Sequence, residues 1–183
     1  MTLPNKLTIA RICMIPFMVA TLQIGMANSI ALPLETARLI AVGIFVLAAF
    51  TDWLDGYIAR KHNLTTDFGK FMDPLADKIL VMAAMVYMVV LGDIGPWVLI
   101  LIESREFVIA GVRMVAASKN VVIAAGLWGK IKTVVQMIMI PVVLADLPIP
   151  GFNILGQILI YAAIAFTVIS AVDYIWSNRE VMK

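Results

Sequence analysis

The chain has 183 residues, of which 62% are hydrophobic and only 14% are charged. A mean hydropathy of +0.99 excludes an ordinary soluble domain, and the apolar residues fall in blocks long enough to cross a bilayer. The formal net charge is only +2, so the placement of the charges along the chain is more informative than their sum. The single cysteine, Cys13, permits no internal disulfide.

Six apolar segments follow one another along the chain, each close to the roughly 20 residues that a membrane-spanning helix needs. They predict spans at 7–27, 37–59, 74–91, 95–117, 132–147 and 154–176. The first segment is not followed by a small-residue cleavage site, so we interpret it as a retained span. The sequence therefore predicts an all-α integral membrane protein with six transmembrane helices in a single domain, residues 1–183.

Lysine and arginine residues stand mainly on one side of the six predicted spans. They lie at the start of the first span, around the loops that follow the second and fourth spans, and after the sixth: Lys6, Arg11, Arg60, Lys61, Lys70, Lys78, Arg113, Lys119, Lys130, Lys132, Arg179 and Lys183. The opposite loops carry Glu35, Asp93 and Asp146, with Arg38 as their one basic neighbour. Because positive charge is retained on the cytoplasmic side, we expect a multi-pass protein of the cell membrane with both termini cytoplasmic.

Residues 51–78 hold five aspartates, at the predicted cytoplasmic end of the second and third spans. Asp73 and Asp77 are spaced i, i+4 on one helical face. The preceding helix carries one stripe of carboxylates and small residues: Asp52, Asp55, Gly56 and Ala59. Four carboxylates converging beside hydrocarbon must take up protons or share cations. Hard oxygen ligands with open positions suit Mg²⁺ or Mn²⁺.

Several of these residues have a purely structural alternative. Asp73 precedes Pro74, so it could cap a helix that begins there, or the helix could begin near Thr66 and be kinked at Pro74. Arg60 offers a planar fork of donors for phosphate oxygens, but it could also be an ordinary cytoplasmic anchor. Gly69 would permit a tight bend or a close approach of a ligand.

The spacing of the window matches a known signature. From Asp52 to Asp77 the sequence reads D-x2-D-G-x2-A-R-x8-G-x3-D-x3-D, which resembles the motif of the CDP-alcohol phosphatidyltransferases at every specified position. These are integral membrane enzymes of phospholipid synthesis. The resemblance implies a phosphatidyl transfer that uses two divalent ions, Mg²⁺ or Mn²⁺, with CDP-diacylglycerol as donor. It also suggests that the protein forms a homodimer and contacts membrane lipids. A nucleic-acid partner is not expected.

The same resemblance implies roles for individual residues. Asp52, Asp55 and Asp73 would ligate the metals, and Asp77 would complete the site and act as general base. No His, Ser or Cys occupies a specified position of the motif, which favours direct displacement over a covalent phosphatidyl-enzyme. Metal proximity would weaken Asp77 as a base, so positioning of the hydroxyl could matter more. Besides Asp52 and Asp55, the residues expected to bind CDP-diacylglycerol are Asn5, Thr8, Gly56, Ala59, Arg60, Thr66 and Gly69.

Two later segments concern the acceptor alcohol. "ESREFVIAGVRMVAASKN" and "GLWGKIKTVVQM" resemble the corresponding segments of one branch of the family, the bacterial phosphatidylglycerophosphate synthases. The acceptor would then be sn-glycerol 3-phosphate, and the cations predicted to bind its phosphate are Arg105, Arg113, Lys130 and Lys132. Alternatively, the two lysines are membrane anchors, and Glu103 or Glu106 pairs with an arginine of the same helix.

Other functions remain open at this point. The same family includes enzymes with other acceptors, such as inositol phosphate or serine. A membrane prenyltransferase also holds metal and diphosphate with aspartates, but it has more spans than this length allows. A divalent-cation transporter could place aspartates between helices, although such sites tend to lie near the midplane among broken helices or repeats, whereas these aspartates lie at one membrane face.

Overall fold

The computed structural model describes residues 3–27, 32–62, 67–119, 121, 123–124 and 126–179, with the backbone alone for 3–6, 53–62 and 67–71. Across these residues every regular element is an α-helix, and the six helices correspond one to one to the six predicted segments. They are α1 (Leu3–Met26), α2 (Leu34–His62), α3 (Asp67–Val90), α4 (Pro96–Ser118), α5 (Leu127–Ala145) and α6 (Phe152–Ser177).

Two helices begin at least five residues earlier than the apolar pattern predicted. The helix α3 begins at Asp67 rather than at residue 74, so Pro74 lies inside it. Asp73 is therefore not an N-cap, and the alternative of a helix that begins earlier and continues through the proline is the correct one. A proline removes one backbone hydrogen bond from a helix interior, and membrane helices tolerate this where neighbouring groups compensate. The helix α5 begins at Leu127 instead of 132 and thereby includes Lys130 and Lys132.

Four of the helices in the described part of the chain are long and apolar enough to cross a membrane: Leu7–Met26, Leu34–Asp52, Leu127–Ala145 and Phe152–Ser177. The other two are of similar length but carry charged groups, among them Asp73, Asp77 and Lys78 in α3 and Glu103, Arg105 and Glu106 in α4. Large apolar side chains are exposed on every helix, for example Phe17, Leu47, Phe107 and Tyr161. Soluble monomers rarely expose so much contiguous apolar surface, so the chain is a membrane protein.

The chain divides into two compact units. The first comprises residues 1–90 and 144–146, and the second comprises residues 91–143 and 147–183. Three helices, α1, α2 and α3, form the body of the first unit, in which α1 packs against both of the others. Each contributes a buried stripe at helical spacing: Ile15, Met18 and Leu22 on α1; Ala37, Ala41, Phe45 and Ala48 on α2; Ala76, Leu80, Ala84 and Met88 on α3.

Small residues let α1 and α2 approach closely. Gly25 near the end of α1 lies against Ala37 near the start of α2, where a Cβ at the glycine would overlap that of the alanine. The two helices are therefore antiparallel. By contrast α1 runs parallel to α3, because Thr8 meets Asp73 and Gln23 meets Tyr87. Lipid is as apolar as these side chains, so tight packing and hydrogen bonds hold such helices together. This arrangement puts the end of α2 beside the starts of α1 and α3.

The second unit packs α4 along α6. The buried face of α6 is formed by Gly156, Ile160, Ala163, Thr167, Ser170 and Tyr174. The helix α5 runs antiparallel to α6, because Trp128 stacks on Phe166 near one end and Val143 meets Gly156 near the other. The turn that leads into α6 contains Gly151 at φ +84°, a left-handed conformation that glycine adopts without strain.

Candidate active site

Two side chains of α1, Thr8 and Arg11, each hold an aspartate of the predicted site. The Thr8 hydroxyl donates a hydrogen bond of 2.5 Å to Asp73 Oδ1 on α3. Arg11 Nη1 donates to Asp52 Oδ1 on α2, also at 2.5 Å. Because Thr8 and Arg11 are one helical turn apart on the same face, the two aspartates lie at the same end of the three-helix unit. One carboxylate of α2 and one of α3 thus lie at the same end of this unit, and the convergence of all four aspartates stays a prediction.

One partner in each of these two contacts is buried. Thr8 and Arg11 are both fully buried, whereas the Asp52 side chain is 41% exposed. A buried guanidinium is costly without an anionic partner, and Asp52 supplies one. From the sequence, Thr8 is expected to bind the nucleotide lipid and Arg11 is one of the cytoplasmic charges. The signal for Arg11 was its spacing, one turn after Thr8 within "PNKLTIAR".

The other predicted residues of this site are placed only in part. Asp77 follows Asp73 by one turn of α3 and is partly buried. The helices α2 and α3 include further predicted positions whose side chains lie outside the described residues: Asp55, Gly56, Ala59, Arg60 and Gly69. The Asn5 side chain and all of Thr66 also lie outside them. Among the side chains that are described, no three acidic, His or Cys groups are grouped as a metal site.

The donor set nevertheless fits a hard divalent cation. Asp52 and Asp73 provide carboxylate oxygens from two helices at one end of the unit, and Asp77 stands one turn further along α3. Each of the two α1 contacts uses the Oδ1 atom of its aspartate, and a carboxylate has a second oxygen that can coordinate. Oxygen ligands of this kind suit Mg²⁺ or Mn²⁺.

The second unit contains a cluster of charged side chains around Glu106 on α4. Glu106 Oε1 accepts from Arg105 Nη1 at 2.8 Å and from Lys132 Nζ at 2.9 Å. Arg105 Nε also donates to Ser170 Oγ on α6 at 3.1 Å. Lys132 is almost completely buried, with its side chain only 2% exposed. Two cations thus share the Glu106 carboxylate, and Arg105 has Glu106 as a neighbour, as one of the structural alternatives predicted.

Arg113 and Lys130, the two remaining cations predicted for the acceptor, lie elsewhere in the second unit. Arg113 Nε donates to the Tyr174 hydroxyl at 3.3 Å, and its guanidinium lies 5.8 Å from the centre of the Tyr174 ring. Lys130 is exposed near the start of α5. Tyr174 also lines a cavity of about 350 Å³ with seven other residues: Val121, Ile123, Ala124, Gly126, Asp173, Ser177 and Asn178. Ser170 and Tyr174 are not predicted from the sequence, because nothing in the local pattern distinguishes them from packing residues.

Residues 1–169 match the family model described as CDP-alcohol phosphatidyltransferase. The chain belongs to this family. A CDP-diacylglycerol–glycerol-3-phosphate 3-phosphatidyltransferase from Bacillus subtilis is 42% identical over 99% of this chain and 97% of its own length. The enzyme of that name from Rickettsia bellii is 40% identical over 94% of this chain and 92% of its own length. A CMP-forming cardiolipin synthase from Oryza sativa is 38% identical over 97% of this chain and 55% of its own length. CDP-alcohol phosphatidyltransferases generally use divalent metal ions.

Proposed function

We propose that this CDP-alcohol phosphatidyltransferase transfers the phosphatidyl group of CDP-diacylglycerol to sn-glycerol 3-phosphate, giving phosphatidylglycerophosphate and CMP. The observation that supports it most is the similarity over almost the whole chain to enzymes named for this reaction. The aspartate pair held by α1 supports the transfer chemistry. The cations around Glu106 support an acceptor that carries its own phosphate.

The proposed reaction is a single displacement. The acceptor hydroxyl oxygen bonds to the phosphorus that carries diacylglycerol, the bond from that phosphorus to the bridging oxygen of the pyrophosphate breaks, and CMP leaves. Asp77 takes the proton of the hydroxyl. Divalent ions would be held by Asp52, Asp55, Asp73 and Asp77. They would neutralise the negative charge of the pyrophosphate. Mg²⁺ and Mn²⁺ are the two candidates.

The remaining residues bind and orient the substrates. We assign the binding of the nucleotide lipid to seven further residues, with Arg60 on the pyrophosphate: Asn5, Thr8, Gly56, Ala59, Arg60, Thr66 and Gly69. The residues assigned to bind the acceptor phosphate are Arg105, Arg113, Lys130 and Lys132. Arg105 is the strongest candidate of the four, because Glu106 and Ser170 fix its guanidinium. Lys132 is committed to Glu106 and buried, so it acts mainly through the charge that it adds.

The orientation in the membrane is part of the same proposal. The charged helices α3 and α4 also cross the bilayer, giving six spans with both termini and the active site on the cytoplasmic side. The basic residues around the loops after α2 and α4 support this orientation. We also propose a homodimer, which the family resemblance alone supports.

Purified protein with CDP-diacylglycerol and Mg²⁺ or Mn²⁺ tests the function, with CMP release measured for separate acceptors. We expect turnover with sn-glycerol 3-phosphate and none with glycerol, serine or inositol 1-phosphate. Phosphatidylglycerol belongs in the set because one relative is named as a cardiolipin synthase. Turnover with phosphatidylglycerol, serine or inositol 1-phosphate, and none with glycerol 3-phosphate, would keep the family and refute the acceptor. Vesicles that accumulate Mn²⁺ without CMP release would favour a transporter.

A further inference from the structure

Arg11 is a buried cation in direct contact with a proposed metal ligand. Its guanidinium lies in the first unit with no solvent exposure, and Nη1 meets Asp52 Oδ1 at 2.5 Å. One turn earlier on the same face, the buried Thr8 hydroxyl donates to Asp73 Oδ1. The helix α1 therefore contacts a carboxylate from each of the two helices that carry the predicted metal ligands.

These contacts solve an electrostatic problem that the site has before any metal is bound. Aspartates gathered beside hydrocarbon repel one another, and each pays a desolvation cost. A buried arginine placed on one of them offsets that negative charge, and its charge-assisted hydrogen bond directs one oxygen of the carboxylate. The threonine adds direction at the second carboxylate without adding charge.

We propose that Arg11 is a positioning residue for the metal site, with Thr8 as its neutral counterpart. Arg11 orients Asp52 through Oδ1 and leaves Oδ2 for coordination, while Thr8 does the same for Asp73. The site is then assembled in the metal-free protein, and metal binding does not have to collect the carboxylates. This inference rests on the proposed metal-dependent function, because the carboxylates must be metal ligands for their orientation to matter.

Mn²⁺ binding to the purified protein, without nucleotide or acceptor, tests the proposal. The electron paramagnetic resonance signal of free Mn²⁺ gives the affinity independently of turnover. Groups that orient metal ligands typically contribute a factor of about 10–100 to metal affinity. We expect Arg11→Met to lose about that factor and Arg11→Lys, which retains charge and a donor, to lose less. Thr8→Val should weaken Mn²⁺ binding several-fold, whereas Thr8→Ser, which keeps the hydroxyl donor, should retain the affinity of the unmodified protein.

Arg38 offers a matched control for the loss of a buried guanidinium. It is 6% exposed, belongs to the same unit and contacts the Leu144 carbonyl oxygen at 3.3 Å and Asp146 at 3.6 Å. It lies about 20 Å along α2 from Asp52, from the rise of 1.5 Å per residue. Arg38→Lys should leave Mn²⁺ affinity unchanged. If it weakens Mn²⁺ binding as much as Arg11→Lys does, the effect is general destabilisation and the positioning role is refuted.

The other outcomes are also decisive. Unchanged Mn²⁺ affinity in both Arg11 variants, with weakened binding of CDP, would make Arg11 a phosphate ligand and overturn the proposal. Tighter Mn²⁺ binding in Arg11→Met would show that Arg11 only competes with the metal. If Arg11→Met does not fold, the comparison of Arg11→Lys with Arg38→Lys still decides. If the unmodified protein binds no Mn²⁺, the proposed metal centre itself fails, which is distinct from failure at Arg11.

Discussion

Replacing Glu106 by glutamine should destabilise the second unit more than replacing Lys132, one of the two cations that it holds. The carboxylate lies 2.8 Å from Arg105 Nη1 and 2.9 Å from Lys132 Nζ. Glu106→Gln keeps the size of the side chain and removes its charge. The Lys132 ammonium, whose side chain is 2% exposed, then stays buried without the carboxylate that it shares with Arg105. The structure therefore predicts an asymmetric response to substitutions within the cluster.

The magnitude follows from burial. Removing one partner of a buried ion pair costs about 3–5 kcal/mol, because the other charge is left uncompensated. The Glu106 side chain retains 25% exposure, which lets water screen part of the loss, so we expect about 3 kcal/mol. Lys132→Met should cost only about 1 kcal/mol or less, because it removes the desolvated charge together with its contact while Arg105 keeps its carboxylate.

Unfolding in detergent, followed by helix content, measures these differences for the two single variants and the double variant. In the double variant no buried ammonium remains, so it should recover a large share of the stability lost in Glu106→Gln. This non-additivity separates a shared charge from two independent packing defects. A Glu106→Gln variant no less stable than Lys132→Met, or strictly additive losses, would refute the reasoning.

Four further outcomes are expected. Asp77→Asn should retain CDP-diacylglycerol binding while turnover, measured as CMP release, falls roughly 10²-fold or more; near-normal turnover would remove the base role. Arg105→Gln should raise the KM for glycerol 3-phosphate about tenfold to a hundredfold, as expected for a lost charge-assisted contact. The KM for CDP-diacylglycerol should stay unchanged, and equal rises in both KM values would contradict a role of Arg105 in acceptor binding. Gly129→Ala should raise the same KM by less, because its Cβ would lie 3.1 Å from Arg105 Nη2 and displace the guanidinium; an unchanged KM would contradict this. Gly25→Ala should lower the free energy of unfolding by about 1–3 kcal/mol, because it overpacks α1 against α2. Gly43→Ala, with open space around its Cβ, should raise it by up to about 1 kcal/mol through helix propensity. Equal unfolding free energies of the two variants in detergent would count against the packing argument.

The local sequence determined the helices and the family. The apolar blocks located all six helices, because a helix in hydrocarbon must satisfy its backbone hydrogen bonds internally and needs a minimum apolar length. The aspartate spacing from Asp52 to Asp77 indicated both the chemistry and the family. Helix starts were less accurate, since apolar length does not report a charged first turn. The helix α3 is the example: it begins at Asp67 and passes through Pro74, whereas the apolar block begins at Pro74.

Only the tertiary structure decided which charged groups meet. In the sequence Arg11 is one of the charges expected on the cytoplasmic side, yet it is fully buried on Asp52, a residue 41 positions away. Glu106 had several possible partners, and helix packing joined it to Lys132, 26 positions away on α5. Local spacing specifies which residues share a face of one helix. Which groups a long side chain contacts depends on how that face packs against the neighbouring helices. Those contacts depend on interhelical distance and rotation, which in a membrane are set by small-residue contacts such as Gly25 against Ala37.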